Sequence, residues 1–291
     1  MPHGHATPGK INLYLRVRAR RPDGYHDIET VFLPLQGCCD RVELEPAAEG
    51  VLEVSCSHPG VPCGRENLAW KASSAYAAHA VIRPAWRIRI EKGIPVAAGL
   101  GGGSSDAGCV LRLLSQQYPG RVPQAELLDL AASVGADVPF FLNPAPMLGR
   151  GAGNRLFPLV FPGVLPVVLL SPAFPIRAAW AYRHWGRPED LRPPPVADVT
   201  DALAKNDLAA LSRLCWNDLE FAVLRKFPLL QEFREFLVRN GCSAALVSGS
   251  GPTVFGLCSE DGQKDVLRKA DALFGDAVTA ATARAGAIQV Q

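Results

Sequence analysis

Eight cysteines are spread along the chain, yet no two form a Cys-x-x-Cys pair. That absence removes the usual spacings of zinc ribbons and redox dithiols. Cys38 and Cys39 are adjacent, Cys56 and Cys63 bracket His58, and Cys109, Cys215, Cys242 and Cys258 sit in apolar contexts. The expectation is buried, reduced thiols in a reducing compartment. The opening "MPHGHATPGK" has no apolar signal region, and no apolar run is long enough to span a bilayer, so a cytoplasmic protein without membrane contact is expected. An excess of charge of either sign is also missing. Thirty basic and 28 acidic residues leave a net charge of +2, which argues against a nucleic-acid partner. The basic cluster "RVRARR" (residues 16–21) partly alternates and reads as one face of a strand. With 48% apolar and 20% charged residues among 291, the chain is globular and long enough for one large or two ordinary domains.

Two familiar glycine motifs are absent too. No lysine follows the glycines of "PVAAGLGGGSSDAG" (residues 95–108), so this is not a Walker A loop. Counted from Gly99, the sixth place is Ser104 and not glycine, so it is not the dinucleotide fingerprint. What is present is a strand, a glycine loop and a helix. "WRIRIEK" upstream alternates like a half-buried strand, and Ala107, Val110, Leu111, Leu114 and Tyr118 downstream form one helical stripe. Ser104, Ser105 and Asp106 are placed as N-cap residues. A helix start offers unpaired N–H groups and a partial positive charge, and glycines let an anion approach the backbone, so the loop is expected to bind phosphate.

Elsewhere, "INLYLRVRAR", "IETVFLPL", "DRVELEP", "VLEVSC" and "VLPVVLLSP" read as strands. "ENLAWKASSAYAAHA" and "PQAELLDLAASVG" read as helices, and "NDLEFAVLRKFPLLQEFREFLVRNG" as two helices broken at Pro228. "AALVSGSGPTVFGLC" is strand, glycine turn, strand, followed by a helix and a closing strand. "GRPEDLRPPPV" (residues 186–196) is expected to be an exposed loop. Strands and helices are mixed in both halves, giving two α+β domains with a boundary near residue 160, at 1–160 and 161–291.

Three segments, residues 8–12, 95–106 and 248–253, resemble in order the three motifs of the GHMP kinases. "PGKINLYLRVRARRPDGYHDIETVF", "GLGGGSSDA", "GADVPFFL" and "SGSGPTVF" are most similar to the branch that phosphorylates 4-diphosphocytidyl-2-C-methyl-D-erythritol. The resemblance covers nearly the whole chain. It implies an N-terminal domain like the second domain of ribosomal protein S5 and a ferredoxin-like C-terminal domain. It also implies transfer of the γ-phosphoryl group of ATP, with magnesium, to the tertiary 2-hydroxyl of the methylerythritol unit in non-mevalonate isoprenoid biosynthesis.

By the same resemblance, Asp137 is the base that takes the hydroxyl proton and Lys10 is the cation beside it, which favours the ionised carboxylate. Pro95, Val96, Ala97, Ala98, Gly99, Leu100, Gly101, Gly102, Gly103, Ser104 and Ser105 wrap the ATP phosphates, with Ser104 or Ser105 approaching magnesium. Asn67 and Leu68 line the adenine pocket; Asn67 also suits a helix N-cap. Tyr25, His26 and Tyr182 hold the cytidine group, and Asn12 lies near the polyol and phosphates. The chain departs from the family at Val96, Ala97 and Ala98, where glycine is frequent, and at Gly108, where alanine is usual. It departs again at Asn154 (often glutamate), Arg177 and Ala178 (often serine and threonine). The alternatives are a homoserine- or mevalonate-type kinase, whose acceptors carry no base for Tyr25 and His26, and a non-catalytic nucleotide-binding protein on the same fold. A monomer or weak homodimer is expected.

Overall fold

A computed structural model describes residues 4–287. They form two compact units that interleave in sequence. The first takes the chain up to Gly9, Cys39–Val96 and Gly101–Pro144; the second takes Lys10–Cys38, Ala97–Leu100 and the chain from Ala145 onward. The first two strands, β1 (His5–Arg20) and β2 (His26–Pro46), each contribute residues to both units.

In the first unit the end of β2 pairs antiparallel with β4 (Trp86–Glu91), and β4 pairs parallel with β3 (Leu52–Cys56). A parallel pair needs a crossover, and α1 (Leu68–His79) supplies it. β4 alternates strictly, with Trp86, Ile88 and Ile90 buried. They pack with Val42 of β2 and with Tyr76, Leu111 and Leu114 of α1 and α2 (Gly102–Gln117). α3 (Gln124–Val134) and a 3-10 turn over Val138–Leu142 complete the layer. Gly108, at a place where the resemblance makes alanine usual, has a packing reason. A Cβ there would lie 2.6 Å from Cβ of Phe141, so only glycine lets α2 meet the 3-10 turn this closely.

The second unit holds β5 (Met147–Gly151), β6 (Arg155–Pro158), β7 (Val164–Pro172), α4 (Ala178–His184), α5 (Val196–Ala204), α6 (Leu208–Leu214) and β8 (Trp216–Asn217). α7 (Glu220–Lys226), α8 (Pro228–Arg239), β9 (Ala244–Val247), β10 (Val254–Leu257), α9 (Glu260–Phe274) and β11 (Val278–Gly286) follow. Its strands lie in the order β2, β11, β7, β10, β9. Strand β7, helices, β9, β10, helix α9 and β11 in spatial order 4-1-3-2 are a ferredoxin-like arrangement, as the family resemblance implied. Phe233, Leu237, Val266 and Ala270 of α8 and α9 share one apolar cluster with Val168 and Leu170 of β7 and Val247 and Val254 of the hairpin.

Two expectations change. Cys242 and Cys258 flank the β9–β10 hairpin with α carbons 4.5 Å apart and are joined as a disulfide, so the reduced-thiol reading covers only the other six cysteines. Of those six, Cys38 and Cys109 are buried and Cys63 is exposed. β1 begins before Ile11 and is buried without a break from Thr7 to Leu15. It is a strand covered on both faces and not an alternating one.

Candidate active site

The backbone of the glycine loop explains its composition. Ala97 (φ 53°), Gly99 (φ 80°) and Gly101 (φ 76°) take left-handed conformations, so an alanine carries one of the turns that glycine usually makes. A Cβ on Gly99 would stand 2.3 Å from the carbonyl oxygen of Ser248, which excludes any side chain. The carbonyls of the loop are taken by the protein. Thr253 N donates to Ala98 O (3.1 Å), Ser248 Oγ to Gly99 O (3.1 Å) and Lys10 N to Leu100 O (2.9 Å). Among the described residues no acceptor takes a backbone N–H from Val96 to Ser104. The loop therefore offers donors to a ligand, as a phosphate cradle must.

The N-cap assignment is corrected. Gly101 caps α2 in a left-handed conformation without a side-chain bond, and Ser104, Ser105 and Asp106 lie inside the first turn and a half. Their side chains have other partners or none. Ser105 is buried; its hydroxyl donates to Pro8 O (2.6 Å) and meets Thr7 Oγ1 (2.7 Å). Ser104 is half-buried and makes no hydrogen bond among the described residues. Asp106 reaches Lys92, whose ammonium lies between Asp106 Oδ2 (2.8 Å) and Asp40 Oδ2. Asp40 Oδ1 also accepts the N–H groups of Gly93 and Ile94, each at 2.8 Å. Burial pushes the Asp106 carboxyl up to about 7, against the pull of Lys92. Burial alone would lower Lys92, but Asp106 and Asp40 outweigh it and hold it above its ordinary value. A Cβ on Gly102 would lie 3.2 Å from the Lys92 ammonium, so this buried ion cluster sits directly against the start of α2.

The other expected residues of the first unit lie at the starts of α1 and of the 3-10 turn. Asn67 caps α1: its Oδ1 accepts from Ala69 N (2.8 Å) and its Nδ2 donates to Pro62 O (2.8 Å). Leu68 packs 3.6 Å from the position of a Cβ on Gly103. Asp137 is half-buried and caps the 3-10 turn, directly before Val138 and Pro139.

In the second unit Lys10 is 4% exposed and donates to Asn12 Oδ1 (2.6 Å). Asn12 Nδ2 donates to Thr30 Oγ1 (2.7 Å), which donates to Tyr14 O (2.7 Å), so the lysine is aimed by a chain of buried bonds. The "SGSGPT" turn backs onto this lysine. A Cβ on Gly249 would lie 3.1 Å from Asn12 Oδ1 and 3.3 Å from Lys10 Nζ. His26 and Tyr182, far apart in sequence, stack with centroids 5.5 Å apart at 17°, and Trp185 meets His26 edge-on at 6.1 Å. Tyr25, next to His26 in the chain, is 57% exposed. Burial, and then Arg20, lowers the pKa of His26.

The N-terminal domain model of the GHMP kinases matches residues 67–143 and the C-terminal model residues 199–276. A 4-diphosphocytidyl-2-C-methyl-D-erythritol kinase of Thermus thermophilus is 43% identical over 268 residues, 92% of this chain and 91% of that protein. The chain belongs to the 4-diphosphocytidyl-2-C-methyl-D-erythritol kinase family. A relative of the same name from Geobacter metallireducens is 36% identical over 88% of this chain and 89% of that one. The crystal structure of a 4-(cytidine 5'-diphospho)-2C-methyl-D-erythritol kinase superposes with a TM-score of 0.81 at 39% identity, covering 98% of this chain and all of the other. A homoserine kinase from Cytophaga hutchinsonii has a TM-score of 0.77 at 16% identity over 99% of this chain and 96% of that one; it shares the fold.

Against this family frame, sequence reasoning missed Lys92, Asp40, Thr30 and Trp185. A lone lysine closing "WRIRIEK" reads as a strand-end charge, and only the fold sets it between two buried carboxylates. Trp185 had a signal, an unexplained aromatic three residues after Tyr182. Among the described residues no helix is long and apolar enough to cross a membrane.

Proposed function

We propose that this kinase moves the γ-phosphoryl group of ATP to the tertiary 2-hydroxyl of 4-diphosphocytidyl-2-C-methyl-D-erythritol, a step of the non-mevalonate route to isoprenoids. The P–O bond to the β-phosphate breaks, a bond from the substrate 2-oxygen to the γ-phosphorus forms, and the hydroxyl proton leaves to the Asp137 carboxylate. ADP and the 2-phosphate are the products. The observation that carries the reading is the glycine loop, whose carbonyls are spent inside the protein while its N–H groups from Val96 to Ser104 are not. Such preorganised donors neutralise phosphate charge without reorganising during transfer.

Lys10 serves as a fixed cation for the moving phosphoryl oxygens, held by Asn12. Asn67 and Leu68 flank the adenine, and Asn12 meets the polyol. His26 and Tyr182, with Tyr25, receive the cytosine. An aromatic face stacks on the base, and a neutral imidazole can donate to or accept from its edge. The free hydroxyl of Ser104 suits a magnesium ion carried mainly by nucleotide oxygens, whereas Ser105 is committed to Pro8. That ion would supply charge neutralisation at the β- and γ-phosphates.

Coupled ADP release with the cytidyl compound, homoserine and mevalonate as separate acceptors tests the reading. Turnover with the cytidyl compound alone supports it; turnover with another acceptor overturns the base pocket. In the same assay Asp137→Asn is expected to bind both ligands and lose about a thousandfold or more in kcat. A variant that keeps full turnover would remove Asp137 from the role of base.

A further inference from the structure

Beside β9 lies a cleft of about 850 Å³, walled by α6, β8, α7, α8 and β9 of the second unit. Its size is that of a site for a small organic molecule. The lining is not a random surface mixture. Arg213, Arg234 and Arg239 face two carboxylates, Glu220 and Glu235. Arg234 stands 3.7 Å from Glu220, and Arg239 3.5 Å from Glu235. Arg213 has no acidic partner among the described residues. Three guanidinium groups against two carboxylates leave the basic side in excess. Trp216 and Phe221 add an aromatic wall, their centroids 5.7 Å apart at 54°. A surplus guanidinium beside half-buried ring faces suits a ligand with an anionic group on a planar apolar body.

The floor of the cleft is wired to the lysine turn. Asn217 donates to Val247 O and Gly249 O, each at 2.8 Å, and accepts from Leu219 N (2.9 Å). Glu220 accepts the Val247 N–H at 2.6 Å. Both are buried, so moving either one displaces the backbone that ends at Gly249, and Gly249 abuts Lys10 and Asn12. We propose that this cleft is a regulatory site for a small amphiphilic aromatic anion, read out at Gly249 through Asn217 and Glu220. The effect on turnover rests on the kinase reading above; the binding does not.

The probe is 1-anilinonaphthalene-8-sulfonate, titrated by fluorescence into the full chain. Saturable binding is expected, undisturbed by saturating ATP with magnesium. It should weaken at least about tenfold in the Arg213→Ala/Arg239→Ala double variant at unchanged Tm. The uncharged analogue N-phenyl-1-naphthylamine should also bind at least about tenfold more weakly. Displacement by ATP, equal binding by the double variant, or equal binding of the uncharged analogue overturns the site. In the ADP-release assay, saturating probe should change kcat about twofold or more in the wild type and not in the double variant. Probe binding that leaves kcat unmoved overturns the coupling. A chain that binds the probe as expected but phosphorylates none of the acceptors fails as a kinase while the cleft stands.

Discussion

In the proposed site, the phosphate end and the base end would be built by opposite means. At the proposed phosphate end the free donors are backbone N–H groups, and the charged side chains next to them are buried. Lys92 is 6% exposed between Asp40 and Asp106, and the left-handed residues at 97, 99 and 101 fix the path of the chain. At the proposed base end the side chains themselves are accessible: Tyr25 is exposed, and His26 is only partly covered by Tyr182 and Trp185. A phosphate is recognised by charge and geometry common to every nucleotide, which backbone can supply. A cytosine is recognised by its ring and edge, which needs chosen side chains.

Removing the buried cation should have the largest effect. Lys92→Met leaves two buried carboxylates facing each other, at a cost of about 3–5 kcal/mol, and thermal unfolding should register a large fall in Tm. Adding Asp106→Asn should restore part of that loss; if Lys92→Met unfolds like the wild type, the phosphate end does not depend on its buried charges. Next comes Gly99→Ala, where a Cβ would collide with Ser248 O. It should raise the KM for ATP about tenfold or more while shifting the cytidyl KM about threefold at most. Equal effects on the two would merge the ends that the comparison separates.

Tyr182→Ala is the mirror experiment. Losing one stacked ring should raise the cytidyl KM about five- to tenfold and leave the ATP KM within about twofold. The smallest effect is a pH dependence at His26. Its pKa is lowered, so the folded protein binds fewer protons here than the unfolded chain. The stability this group contributes is full above its unfolded value of 6.5 and is lost as pH falls through the lowered one. The imidazole is neutral at neutral pH, so kcat/KM for the cytidyl substrate should stay level above 6.5 and fall only on the acid side. A break in the profile above 6.5 that vanishes in His26→Asn would mean that a charged imidazole binds the base.

Much of the fold was readable because its elements announce themselves by period and punctuation. β4 alternates, α7 and α8 break at Pro228, and β9 and β10 meet at a glycine turn. α5 and α6 went unread, since short helices after a proline-rich stretch carry little periodic signal. That stretch is mostly exposed, but it is tied down by Tyr14 Oη to Pro194 O (2.9 Å) and by the Arg187–Asp218 ion pair, two contacts too distant in sequence to foresee. At the proposed site, the loop could be read from its glycines, while Lys10 and Asn12 were named only through the family resemblance of their motif. The partners that aim them could not, since Thr30 looks like any strand threonine until it lies 2.7 Å from Asn12.

The sequence alone determined which residue types stand where local chemistry demands them: glycines at left-handed turns, an asparagine at the start of α1, a lysine two places before Asn12. These requirements act over a few residues, so a linear chain can record them. Tertiary structure decided which of these residues became partners. It divided β1 so that Pro8 meets Ser105 in one unit while Lys10 meets Leu100 O in the other. It also placed Lys92 between Asp40 and Asp106 and stacked His26 on Tyr182. Burial is what gives those pairings their energy, because a charge or donor removed from water is stable only where the fold brings it a counterpart.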